Sequence, residues 1–109
     1  MAYDKGLAQL MRDDLAGEGT IGERKMFGGI AFMLDGNMVA GVHSGGGMFR
    51  VGKERQDRAR QIEGTGPMEF TGRPMGGMVA ASDELMADDD RRRALMALAL
   101  ENARSLPPK

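Results

Sequence analysis

Apolar residues change their spacing twice along this chain, and each change marks a change of structure. Leu7, Leu10, Met11 and Leu15 recur at three- and four-residue steps, which places them on one stripe of a helix over residues 4–16. Asp4 is suited to cap the start, and Gly17 to stop the helix in a left-handed turn. From residue 23 the period shortens. Residues 23–27, 30–34, 38–42 and 48–51 are short apolar runs with glycine or polar breaks, the pattern of consecutive antiparallel strands. Asp35-Gly36 predicts a tight hairpin, because such turns need positive φ. Gly45-Gly46-Gly47 predicts the next turn. Gly28-Gly29 predicts a bulge or sharp bend rather than a clean hairpin.

Residues 53–61 are charged and helix-friendly, with Ala59 and Ile62 as apolar anchors, and predict a solvated helix lying on the sheet. A loop rich in Gly and Pro follows over 63–74, with 68–70 extended, and residues 77–81 predict a final strand. The last helix starts near Asp88. Asp88, Asp89 and Asp90 favour a positive helix N-terminus, and Arg91 to Arg93 are placed to pair with them. The apolar run Ala94 to Leu100 covers more than one face, which predicts deep packing, and Pro107 and Pro108 end the helix. The fold class is therefore α+β, an antiparallel sheet with flanking helices in the order α-β(3-4)-α-β(1-2)-α. Its expected core is Leu7, Leu10, Leu15, Phe27, Phe32, Val42, Val51, Leu95 and Leu98.

A length of 109 residues fits one domain, taken here as 1–109. The absence of cysteine excludes disulfides, thiolate zinc sites and cysteine nucleophiles, and suits a reducing cytoplasm. No basic segment precedes an apolar run at the start, and the longest apolar run is too short to span a bilayer. The expectation is a soluble cytoplasmic protein with no membrane partner. A net charge of −1 argues against strong direct binding to nucleic acid. Eleven methionines stand beside four phenylalanines, one tyrosine and no tryptophan. Methionine fills irregular gaps, so a soft core is favoured over an adaptable binding surface.

Gly17-Glu18-Gly19-Thr20-Ile21-Gly22 matches a dinucleotide-binding fingerprint. That motif must follow a strand and open a helix, and here the order is reversed. Gly47 to Lys53 matches a phosphate loop, but Glu54 stands where Ser or Thr is needed for magnesium, and the intervening residues read as a strand. His43 is the only histidine. It lacks the partners for a metal site or a hydrolytic triad, and reads as a polar residue at a strand end. The paired carboxylates fall at helix ends, where capping and solvation account for them. No catalytic, cofactor-binding or metal-binding residue is expected, and no cofactor. Lys25, Arg50 and Arg73 remain as candidates for contact with an anionic partner, with strand-face charge and a loop salt bridge as the favoured explanation. Pro74 biases Arg73 towards an extended backbone, and an inward structural tie is favoured for its side chain.

Lys25-Met26-Phe27-Gly28-Gly29-Ile30-Ala31-Phe32, Asp35-Gly36, Met38 and Gly41-Val42-His43 resemble the TfoX/Sxy N-terminal domain family. Phe49-Arg50-Val51-Gly52, Phe70-Thr71-Gly72-Arg73-Pro74-Met75 and Ala103-Arg104-Ser105-Leu106-Pro107-Pro108-Lys109 continue the resemblance in order. It implies a fold of the secretion-chaperone-like class and a bacterial cytoplasmic protein. The family is named for competence regulators that act as transcriptional co-activators with the cyclic-AMP receptor protein. Those regulators carry a second, helical domain, and this sequence is expected to be a stand-alone first domain. The resemblance supplies no catalytic residues.

Two functions are carried forward. The first is a non-enzymatic protein-interaction module, a transcriptional or competence-type accessory with a protein partner, a homodimer being one arrangement. The alternative is a small-molecule or nucleotide domain that holds an anion with Arg50 and Arg73. Convergence of those arginines on a concave pocket would favour the second.

Overall fold

The computed structural model describes residues 3–107 except 27, 71 and 72, with the backbone alone at 26, 69, 70 and 73–75. Helix α1 spans Lys5–Leu15, and Asp4 caps it by accepting from the N–H groups of Gly6 and Leu7. Gly17 follows with φ +85°, the left-handed stop that the sequence predicts. Strands β1 (Ile21–Met26), β2 (Gly29–Leu34), β3 (Asn37–His43) and β4 (Gly46–Arg50) come next. A 3-10 turn at Lys53–Arg55 leads into the short α2 (Gln56–Arg60). Strands β5 (Thr65–Phe70) and β6 (Arg73–Ala81) precede α3 (Asp83–Ala87) and the long α4 (Asp89–Ser105). All six strands form one antiparallel sheet in the order β1-β2-β3-β4-β6-β5.

The turns follow their residues. Asp35 and Gly36 have φ of +52° and +85°, so both central positions are left-handed and the strands leave with matching twist. The Gly28-Gly29 expectation needs correction. Met26 pairs with Gly29, so β1 and β2 meet in a tight hairpin and the bend is not a bulge. The bulge lies in the β2–β3 pairing. Phe32 pairs with Ala40 but Met33 pairs with Met38, which leaves Val39 as an extra residue. Val39 and Ala40 both face the helices as a result, and Met38 faces away.

Two further elements differ from the expectation. The stretch read as a loop with 68–70 extended is strand β5 from Thr65 on, even though it holds Pro67, and the final strand begins at Arg73 rather than at 77. Proline removes a donor, and an edge strand has one side where no donor is needed. Helix α3 is new. Ser82 caps it through a hydrogen bond from the Leu85 N–H, and five residues are too few to show a helical period.

Every helix that joins the main core packs on one face of the sheet. That core joins Met11 and Leu15 of α1, Phe32, Val42, Phe49 and Val79 of the sheet, and Leu85, Leu95 and Ala99 of the last two helices. Val51 and Leu98 are buried as expected. Leu7 and Leu10 are only partly buried, because the inward stripe of α1 runs through Ala8, Met11 and Leu15. Phe27 lies outside the described residues. A second cluster of Ala31, Met38, Met48, Met68 and Met78 lies on the other face of the sheet, and no helix residue joins it. Gly41 makes room there: a Cβ on it would sit 2.6 Å from the Met48 methyl. Seven of the eight methionines with described side chains are buried and Met33 is partly buried, which is the soft-core arrangement.

Asp88 caps α4 through the backbone N–H of Arg91, and its carboxylate also accepts from the Arg91 Nε. These bonds hold the Asp88 carboxyl below its usual range. Its stabilising contribution is complete above the ordinary carboxylate pKa and fades as pH falls through the lowered value. An Asp88→Asn chain keeps a capping oxygen, so its thermal melts will show a flatter acid limb than the parent. Phe32 and Leu95 are fully buried. Replacing either with Ala will cost about 3 kcal/mol in denaturant unfolding, and Leu10→Ala about 1 kcal/mol. Losses below about 1 kcal/mol at both core positions would contradict this packing.

Candidate functional site

The three candidate cations do not share a site as far as their side chains are described. Lys25 lies exposed on β1, opposite Ile30, on the helix-bearing side of the sheet. Arg50 ends β4 opposite Met78 and follows the core residue Phe49, so it projects to the other side. Two strands separate β1 from β4, which puts these residues roughly 14 Å apart across the sheet, offset further along the strands, and on opposite faces. Arg73 opens β6, and its side chain lies outside the described residues.

The glycine motifs take the structural forms expected of them. Residues 17–20 connect α1 to β1, and residues 47–53 are β4 and its exit. His43 ends β3. Its Nδ1 accepts from the Gly45 N–H at 2.9 Å, which assigns the ring proton to Nε2. That atom is buried and has no hydrogen-bond partner among the described residues. No three of the described His, Asp and Glu residues come together as a metal-binding group.

The one charged residue that is buried as a whole among the described residues was not among the candidates, and the carboxylate it meets is buried with it. Arg92 is 1% exposed. It meets Asp14 at the end of α1 in a two-pronged pair, Nε to Oδ2 at 2.6 Å and Nη2 to Oδ1 at 3.2 Å. Its Nη1 donates to the Met86 carbonyl at 2.8 Å, and Nη2 lies 2.9 Å from Asp89. The bonds to Asp14 raise the Arg92 pKa further above its already high value. Arg93 also reaches Asp14, with Nε 3.5 Å from Oδ1. The sequence carried a signal for this. Arg92 is in phase with Leu95, Met96, Ala99 and Ala103, the buried stripe of α4.

Beside this pair, α1 and α4 flank an open cavity of about 330 Å³, lined in part by Asp13, Asp14, Glu18, Arg93, Met96 and Leu100. Its charged lining is three carboxylates and one arginine, and that arginine, Arg93, is already turned to Asp14. Arg92 and Asp14 satisfy each other, so their geometry joins two helices and leaves neither group available for proton transfer.

These features define an α+β domain with one antiparallel sheet and its main helices on a single face. Its buried charge is spent on holding helices together. The chain belongs to the TfoX N-terminal domain family, whose family model matches residues 13–103. No curated protein matches it. Among the described residues no helix is long and apolar enough to cross a membrane.

Arg92 is an internal tie between helices, and the tie expected of Arg73 lies outside the described side chains. Arg92→Ala will leave Asp14 as a buried charge beside the more distant Arg93, and will cost about 3–5 kcal/mol in chemical unfolding. The double change Arg92→Met with Asp14→Leu will recover most of that loss, because it removes both charges and keeps apolar volume. A double variant as unstable as Arg92→Ala would show that the pair contributes more than mutual neutralisation.

Proposed function

We propose that this chain is a protein-interaction module without catalytic machinery, acting in the bacterial cytoplasm as an accessory to transcriptional control of the competence type. The observation that carries the reading is the family match, which spans nearly the whole domain. The geometry supports it. Lys25 and Arg50 lie on opposite faces of the sheet, and the buried ion pair is a tie between helices. A domain of this kind offers surfaces, and its partner is a protein.

Thermal-shift measurements with zinc, magnesium, ATP and NAD will leave the melting point unchanged, because only a ligand that binds the folded state raises it. Crosslinking in the native host will join the chain to a defined protein. A reproducible shift with any of the four ligands would overturn the non-enzymatic reading in favour of a ligand-binding domain.

A further inference from the structure

Strand β1 is the first strand of the sheet, and β2 is its one neighbour in the strand order. The other side of β1 is a free row of backbone groups among the described residues. Edge strands invite pairing, and charged residues are a common protection against it. Here Ile21–Met26 carries Glu23, Arg24 and Lys25, all exposed. The order of these charges decides between protection and pairing.

Met26 pairs with Gly29 across a two-residue connection, so this closing pair bonds inward. Inward and outward groups alternate along a strand. Gly22, Arg24 and Met26 therefore turn their N–H and C=O groups towards β2, and Ile21, Glu23 and Lys25 turn theirs outward. A second copy of β1, related by a two-fold axis and running antiparallel, must match outward residues with outward residues. The axis then passes through Gly22, Glu23, Arg24 or Lys25. Centred on Glu23 or on Lys25, it sets like charges face to face. Centred on Gly22, it sets Ile21 against Glu23. Centred on Arg24, it sets Glu23 of each copy directly opposite Lys25 of the other, twice.

We infer that β1 is a self-pairing edge, and that two copies of this chain join through it in the Arg24-centred register to make one continuous twelve-stranded sheet. Glu23 and Lys25 share the helix-bearing side, opposite Phe32 and Ile30. Glu23 already holds Arg12 at 2.7 and 3.0 Å. A carboxylate has about four acceptor positions, so it takes the second copy's lysine as well. Arg24 meets its own counterpart on the other face, an opposed pair of like charges that keeps the association weak. The inference goes beyond the interaction reading above and stands without it.

Sedimentation equilibrium at low ionic strength, over a wide range of protein concentration, tests the pairing. The parent chain will show a reversible monomer–dimer equilibrium that weakens with salt. Arg24→Thr removes the like-charge pair and will tighten the dimer about two- to five-fold. Glu23→Lys alone and Lys25→Glu alone each oppose like charges twice, and will weaken it by about tenfold or more. Mixing those two variants sets two lysines of one copy against two glutamates of the other. Both cross-strand pairs are then of opposite charge again, so a mixed dimer will form where neither variant dimerises alone. Melting curves of each variant check that the loss of the Arg12 contact has not unfolded Glu23→Lys. Lys25→Glu does not touch that contact and gives the same reading independently. A parent chain that stays monomeric, single variants that dimerise like the parent, or a mixture that fails to restore the dimer would each overturn the proposal and leave the charges as edge protection.

Discussion

The ion pair of Arg92 and Asp14 joins the two ends of the sequence. Asp14 stands at the end of α1 and Arg92 in the first turn of α4. Burying two charges is costly, and their attraction repays the cost only when geometry and further hydrogen bonds are good. Both conditions are met: the pair is two-pronged, and the Met86 carbonyl and Asp89 take two more of the five guanidinium protons. Because Met86 lies in the last turn of α3, one guanidinium fixes three helices at once. Their apolar stripes are thereby held in register over Phe32, Val42 and Phe49.

The sheet beneath is asymmetric, and a single extra residue makes it so. Without Val39 as a bulge, strict alternation along β3 would turn either Met38 or Val42 to the wrong side. With it, β3 presents Val39, Ala40 and Val42 to the helices and Met38 and Gly41 to the other face. The buried part of that other face is built from thioethers, alanine and glycine. Its long side chains are unbranched, so they lie over the small residues and one another without a covering helix.

Local chemistry was the legible part of this fold. Asp4, Asp35-Gly36, Gly17 and Asp88 each act through neighbours two or three residues away, and each does what its type predicts. What escaped depended on distant neighbours. Pro67 and its glycines look like a loop until β6 supplies the pairing that makes β5 a strand. The bulge at Val39 has no sequence mark. At the candidate site, Lys25 was readable as an exposed strand charge, and Arg50 as a strand residue, but the facing direction of each depends on the pairing of the whole sheet. Arg92 hid among three arginines beside three aspartates, a run that reads as solvated charge. The phase of Leu95, Met96, Ala99 and Ala103 along α4 selects which of the three is inside, and Asp14 on α1 is what makes its burial tolerable.

The distribution of methionine also gives the molecule a set of spectroscopic reporters. Met11, Met86 and Met96 sit in the helix-side core, and Met38, Met48, Met68 and Met78 in the cluster behind the sheet, with Met33 packed against it. Each ends in a freely rotating methyl group, whose nuclear resonance stays narrow and responds to nearby ring currents and contacts. Isotopic labelling of this one residue type would therefore place observable nuclei on both sides of a single sheet. Any event that touches one side and not the other would declare its side in a spectrum of a handful of peaks.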